Sequence, residues 1–82
     1  SIQQELILAT TVQDGYERDV VVPTTFNGRT FTVTIINDTQ TAMLLEFELE
    51  EQTLYYRIPD TQGTIRLGVN RIQKVDGEVI IS

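Results

Sequence analysis

The chain contains no cysteine and no histidine among its 82 residues. Without cysteine it cannot form a disulfide, and without either residue it lacks the usual ligands of zinc, copper and iron. A domain of this size buries only roughly 60% of the surface of its extended chain, so its core is small. Disulfides, a metal or a partner subunit usually stabilise such small folds. Oligomerisation is the stabiliser that remains, and we predict no cofactor.

Long apolar runs and clusters of basic residues are also absent. No window approaches the ~20 apolar residues of a membrane span, and the first residues lack the pattern of a secretory signal. Six Lys and Arg residues stand singly against 12 Asp and Glu residues, which gives a net charge of −6. Binding of nucleic acid through its phosphates needs clustered cations. We therefore predict no nucleic-acid partner of that kind, no membrane partner, and synthesis in the cytoplasm.

β-Branched residues are abundant, since 9 Ile, 8 Val and 12 Thr occupy 29 of the 82 positions. These side chains pack well on pleated sheets and lose rotamer freedom in helices. Turn signals recur at short spacing, and no linker or repeat divides the chain. We predict one all-β domain over residues 1–82, either an antiparallel sandwich or a partly closed barrel of about seven strands. The predicted strands are Glu5–Val12, Arg18–Phe26, Arg29–Ile36, Ala42–Leu49, Leu54–Ile58, Thr64–Lys74 and Glu78–Ile81.

Asn27-Gly28 is the clearest turn signal in the sequence. A two-residue type I′ hairpin turn needs positive φ at both central positions, and Asn and Gly tolerate it best. Closing this turn with Phe26 opposite Arg29 predicts that Val22 lies opposite Val33 on the buried face of two adjacent strands.

The segment 42–51 is ambiguous between strand and helix. Ala, Met, Leu and Glu favour helices, and Asp38 could cap one. However, apolar and acidic residues alternate here with the period of a strand: Leu45, Phe47 and Leu49 against Glu46, Glu48 and Glu50. We therefore predict a strand.

The following strand, Leu54–Ile58, supports this interpretation. A loop over residues 50–53 would pair Phe47 with Tyr56 on one face and Glu46 with Arg57 on the other. As an exposed pair, the second contact would contribute only ~0.2–1 kcal/mol.

The predicted strand Thr64–Lys74 changes phase along its length. Its apolar residues fall on odd positions up to Val69, whereas Ile72 falls on an even one. A β-bulge at Gly68 or Asn70 would absorb this change.

Two further features of the sequence, Asp76-Gly77 and Pro23, constrain the strands. At Asp76-Gly77, a three-residue turn pairing Lys74 with Glu78 is chemically better than a two-residue turn pairing Val75 with Glu78. Pro23 cannot donate to a ladder, so we expect its strand to lie at the edge of a sheet.

Few residues could carry catalysis. The two serines stand at positions 1 and 82, and a Ser or Thr nucleophile would need Lys74, a carboxylate or the terminal amine as its base. Glu46, Glu48 and Glu50 would line one strand face about 7 Å apart. Glycosidase carboxyl pairs have comparable spacing, but so does any solvated strand face. We predict that the chain is not an enzyme.

The acidic residues Asp14, Glu17 and Asp19 cluster around Gly15. Oxygen-rich loops can bind Ca²⁺, yet this segment lacks the D-x-D-x-D-G pattern and its distal Glu. A hydrophilic turn explains the cluster, and we predict no metal site.

Contact with a protein partner or with another copy is the remaining role. Tyr is enriched at interfaces, and runs such as Val20–Val22 and Val79–Ile81 need cover on both faces of their strands. The candidate partner-binding residues are Glu46, Glu48, Glu50, Tyr55, Val21 and Ile81.

We predict a non-enzymatic structural or assembly β module in a homo-oligomer or larger assembly. Its composition suits a bacteriophage virion component such as a capsid-decorating or tail protein. The alternative is an acidic inhibitor or adaptor whose glutamate stripe covers a basic groove on a partner protein.

Overall fold

The computed structural model describes residues 1–37 and 43–82. These residues form one helix, α1 (Ile2–Thr11), and seven strands. The strands are β1 (Glu17–Val22), β2 (Thr32–Asn37), β3 (Met43–Glu48), β4 (Thr53–Ile58), β5 (Thr61–Gly63), β6 (Gly68–Val75) and β7 (Glu78–Ile81). The predicted helix cap Asp38 and the predicted strand start Ala42 lie outside the described residues.

The strands form two sheets. The large sheet has the order β1-β6-β7-β5, and the small sheet has the order β2-β3-β4. Within the described residues neither sheet closes into a barrel, so the sandwich alternative of the predicted all-β fold is the one observed. The large sheet is mixed, however, because β5 runs parallel to β7. The prediction of a purely antiparallel fold is wrong on this point.

The first element is a helix, so the predicted strand Glu5–Val12 is wrong. Ser1 caps α1 by accepting a hydrogen bond from the backbone N–H of Gln4, and the Gln4 side chain accepts one from the Ser1 nitrogen. This capping box satisfies backbone donors that a helix start leaves free. The buried side chains then recur at helical spacing, and they are Ile2, Leu6 and Ala9.

The far end of α1 is held by the large sheet. Lys74 of β6 donates from Nζ to the backbone oxygen of Thr10 at 3.0 Å. A cation at this position satisfies a terminal carbonyl and complements the negative end of the helix dipole. Helix and sheet are thus joined by a polar contact as well as by packing.

The Asn27-Gly28 turn forms as predicted, but the hairpin around it does not. Both residues have positive φ, 51° and 74°, and Phe26 and Arg29 exchange backbone hydrogen bonds of 2.8 and 3.0 Å. Beyond this pair the two arms separate, because Val22 joins β6 whereas Val33 joins β3. The predicted Val22–Val33 pair is therefore wrong. The turn instead carries the chain from one sheet to the other.

The segment 43–48 is a strand, as predicted, but its register with β4 differs from the prediction by two residues. The hairpin closes with a 2.8 Å hydrogen bond from the Leu49 N–H to the Gln52 oxygen. Glu46 consequently pairs with Tyr55, and the predicted pair with Arg57 is wrong. A slip of two preserves side-chain parity, so the apolar residues still share one face.

Asp76-Gly77 forms a two-residue turn with φ values of 50° and 80°. Val75 pairs with Glu78, so the predicted three-residue turn is wrong. The observed register instead forms a buried apolar pair, because it places Ile72 opposite Ile81.

The phase change before β6 comes from a loop. The ladder between β1 and β6 runs without interruption, so the predicted bulge is wrong. Gly68 begins β6 with φ +87°. The buried Asn70 amide accepts from the Arg66 N–H at 2.9 Å and donates to the Arg66 and Gly68 oxygens. This side chain therefore fixes the loop that precedes the strand.

One core joins α1 to both sheets. Its most buried members come from all three units: Leu6 and Ala9 of α1, Leu45 and Ile58 of the small sheet, and Ile72, Val79 and Ile81 of the large sheet. The molecule is only 17 Å thick in its shortest direction. Sheets pack roughly 10 Å apart, so there is room for two layers.

Candidate functional site

An open apolar cleft of about 320 Å³ lies on the face of the small sheet that points towards α1. We term this face the inner face. Residues of β3 and β4, the first turn of α1 and the segment 23–31 that links β1 to β2 all contribute to the lining. The side chains that matter here are Phe26, Phe31, Phe47, Leu49, Leu54 and Tyr56.

Phe47 is the centre of an aromatic row on the floor of the cleft. Its ring centroid lies 6.0 Å from that of Phe31 and 5.7 Å from that of Tyr56. The contact with Tyr56 is edge-to-face, with an interplanar angle of 84°. Such pairs contribute ~0.5–1.5 kcal/mol beyond the burial of their area. The floor is therefore held by mutual packing of its own rings.

Large apolar side chains of the cleft remain in solvent. Phe26 is 57% exposed, Tyr56 is 42% exposed and Leu54 is 37% exposed. Tyr56 and Leu54 belong to the inner face, where the alternation of β4 would place core residues. These adjacent exposed apolar side chains make the cleft a candidate interaction surface. The cleft is therefore a place where the inner face of the small sheet is incompletely covered.

An ion pair ties the two turns at one end of the cleft. Arg29 Nη1 lies 2.7 Å from Glu50 Oε2, and it joins the Asn27-Gly28 turn to the β3–β4 turn. Both side chains are about two-thirds exposed, so the pair contributes only ~0.2–1 kcal/mol. Glu50, a predicted partner-binding residue, therefore follows the cleft residue Leu49 in sequence and already has a counterion.

Glu46, Glu48 and Tyr55 share the opposite, outer face of the small sheet. Glu46 is paired with Tyr55, and the charge of Glu46 is the first cause of a raised pKa for the tyrosine hydroxyl. Desolvation, a hydrogen bond with Glu46 and the charge of Glu48 raise this pKa further. The structure thus brings two glutamates of the predicted stripe together with Tyr55, whereas Glu50 turns towards Arg29.

The two predicted apolar contact residues differ in their exposure to solvent. Val21 is 67% exposed and lies opposite Val69, itself 58% exposed, on the outer face of the large sheet. Ile81 is 1% exposed and belongs to the core, so its side chain offers nothing to a partner. In the sheet, Ile81 lies opposite Ile72, which is also buried. As Pro23 predicts, β1 lies at an edge of the large sheet.

The acidic residues near the first turn do not converge on a common point. Asp19 and Glu17 contact Arg71 at 3.1 and 2.7 Å; the hydrogen bond with Asp19, followed by the charge of Glu17, raises the pKa of the Arg71 guanidinium. Asp14 instead accepts a hydrogen bond from the Gly77 N–H at 2.9 Å. Over residues 1–37 and 43–82, no group of three or more potential metal ligands is assembled.

A second cleft, of about 340 Å³, lies where α1 ends against the large sheet. Lys74 is part of its lining, but its amine already donates to the Thr10 oxygen at 3.0 Å. The structure therefore gives this lysine a helix-capping contact, which the sequence reasoning did not anticipate.

The cleft itself was not predicted from the sequence, although two signals were available. The S-x-x-Q pattern of Ser1 to Gln4 predicts a helix start. The alternation of β3 and β4 predicts that Phe47 and Tyr56 share a face. Together these indicate a helix start at the first residues and an apolar face on the sheet that contains β3 and β4.

Comparisons with protein-family models, with curated proteins and with solved structures find no match to this chain. Among the described residues, no helix has the length and apolar character that crossing a bilayer requires.

Proposed function

We propose that this chain is a non-enzymatic assembly module that binds another polypeptide through its uncovered apolar surface. The observation that carries the proposal is the cleft of about 320 Å³, with Phe26 and Tyr56 57% and 42% exposed. Aromatic residues are enriched in the cores of protein interfaces and dominate their energetics.

The energetic argument concerns apolar surface left in water. Burial of apolar area is worth roughly 25 cal/mol per Å², and the exposed parts of Phe26, Leu54 and Tyr56 are adjacent in one cleft. A partner that covers the cleft removes these surfaces from water at once. The exposed Val21–Val69 pair offers a smaller second surface on the large sheet.

Analytical ultracentrifugation of the purified chain, with and without the proteins that co-purify with it from its source, tests the proposal. We expect an assembly larger than the single chain, and we expect Phe26→Ser to reduce it. Ile7→Ser is the matched control, because Ile7 is also about half exposed but does not line the cleft. A monomer at the highest soluble concentration, without a partner, would contradict the proposal.

One observation favours the second candidate, an acidic adaptor. Glu46, Glu48 and Tyr55 lie together on the outer face, and the raised pKa of Tyr55 reflects the negative charge there. Binding through this face would weaken steeply with salt and with Glu46→Gln. Binding through the cleft would depend on Phe26 instead.

A virion remains the setting that composition alone suggests for such a module, as a capsid-decorating or tail component. Mass spectrometry of particles purified from the source tests this directly. The chain should be present in a fixed ratio to the major particle protein, and its absence from particles would remove the virion setting while leaving the assembly role open to the measurement above.

A further inference from the structure

The cleft has the size for a few side chains of a partner. Its volume of about 320 Å³ is at the lower end of the roughly 300–1,000 Å³ that ligand sites span. Its lining is mainly aromatic and aliphatic, with Phe47 held between Phe31 and Tyr56. A large aliphatic or aromatic side chain is the anchor that such a surface accepts.

The end of the cleft near the β3–β4 turn is acidic. Leu49 lines the cleft, and the two turn residues that follow it, Glu50 and Glu51, are both exposed. Arg29 is the cation that the structure places at this turn, and it is paired with Glu50. Two carboxylates, those of Glu50 and Glu51, against one guanidinium leave one excess negative charge at this turn.

The charge of the whole chain disfavours a second copy as the occupant. Each copy carries a net charge of −6, and the acidic turn would approach another molecule of the same sign. Like-charge juxtaposition at an interface costs free energy, whereas an oppositely charged partner is steered towards it.

Resting on the assembly function proposed above, we infer that the cleft binds a partner segment in which large apolar residues are flanked by Lys or Arg. The apolar residues enter the cleft, and the cations lie against the acidic turn that contains Glu50 and Glu51. The two features lie side by side, so one short segment can use both.

NMR titration of the isotope-labelled chain with three synthetic peptides tests this inference. The first peptide alternates Lys with Leu and Phe, the second replaces each Lys by Glu, and the third replaces each Leu and Phe by Ser. We expect only the first to bind, with amide shifts centred on Phe31, Leu49 and Tyr56. Its affinity should fall as the salt concentration rises.

Two matched variants test which carboxylates contribute to binding of the Lys peptide. Glu51→Gln removes one carboxylate from the acidic turn without breaking the Arg29–Glu50 pair, and Glu46→Gln removes one from the outer face. The first should weaken binding of the Lys peptide roughly two- to fivefold, and the second should leave it unchanged. Phe26→Ser should weaken binding about tenfold or more, as expected of an interface aromatic.

Equal binding of the Lys and Glu peptides, binding of the Lys-Ser peptide as tight as that of the first, or no binding of any peptide would overturn the inference. Shifts centred on Glu46 and Tyr55 would also overturn it and would favour the acidic-adaptor candidate. If the chain self-associates through the cleft, the occupant is wrong while the assembly function stands. If it stays monomeric and binds neither peptide nor partner, both fail.

Discussion

The two sheets of this molecule each present one apolar face, and the face of the large sheet is covered more completely than that of the small sheet. In the large sheet, Ile72, Val79 and Ile81 are at most 4% exposed. In the small sheet, the face that contains the buried Leu45 also contains Tyr56, which is 42% exposed. Strand alternation determines which face prefers burial, but it does not supply the cover.

The difference follows from the length of α1. Its ten residues make a helix about 15 Å long, whereas the molecule extends over 39 Å. The helix contributes Ile2, Leu6 and Ala9 to the shared core and donates from Gln3 to the Arg57 oxygen of β4. It therefore reaches the Ile58 end of the small sheet and leaves the cleft open.

Truncation of a buried side chain of α1 should give the largest loss of stability, because α1 covers the core that it shares with both sheets. Leu6 is fully buried, so Leu6→Ala should lower the free energy of unfolding by ~2–5 kcal/mol. Ile7→Ala, one position along and 49% exposed, should cost less than about 1 kcal/mol. Urea denaturation measures both. Equal losses would show that α1 does not cover the core as described.

Addition of a Cβ at Gly63, in the edge strand β5 of the large sheet, should give the next largest loss of stability. Gly63 of β5 has φ +103°, and a Cβ there would overlap the backbone oxygen of Ile81 in β7. Gly63→Ala should cost at least ~1–3 kcal/mol because backbone strain adds to this clash. Gly28→Ala, at the cleft turn with φ +74° and open space, is the control and should cost about 1 kcal/mol. Thermal unfolding of the two variants should rank them in this order.

The ion pair at the end of the cleft should have a smaller effect. Arg29→Ala should cost only ~0.2–1 kcal/mol, since both members of the Arg29–Glu50 pair are exposed. A double-mutant cycle with Glu50→Ala isolates the coupling between them. This coupling should disappear in high salt, and a coupling that persists there would mean that the cleft end is less open to solvent than its side chains indicate.

The smallest effect concerns the outer face of the small sheet. The charge of Glu46 raises the pKa of Tyr55 above the ordinary tyrosine value of about 10. Folding therefore favours the neutral hydroxyl, a contribution that is complete below the unfolded pKa and lost as pH rises through the folded one. Ultraviolet titration should show a tyrosine above the usual range that returns towards it in Glu46→Gln. Glu51→Gln is the control, and an unchanged titration in Glu46→Gln would refute the contact.

Short-range features were predictable from the sequence because their causes act within a few residues. Asn27-Gly28 and Asp76-Gly77 both adopt positive φ, as their side chains favour, wherever the flanking strands go. The alternation of Leu45 and Phe47 with the intervening glutamates likewise predicted the strand β3 and the face on which each side chain lies.

The partners of those strands were decided by tertiary structure. The arms of the Asn27-Gly28 turn enter different sheets, because Val22 gains a neighbour in β6 and Val33 gains one in β3. The register of β3 on β4 slipped by two residues, which keeps every side chain on its face and therefore leaves the sequence pattern indifferent to it. Burial against distant segments selects among such alternatives, and no local pattern encodes it.

The cleft shows most clearly which features the sequence determines and which the tertiary structure decides. The sequence by itself determined that the chain is mostly β, that it is acidic, and which residues of β3 and β4 are apolar on one face. Only the tertiary structure decided which of those residues α1 covers. The physical reason is that side-chain polarity is a local property, whereas solvent exposure depends on what packs above each face, and one ten-residue helix is too short to cover two sheets.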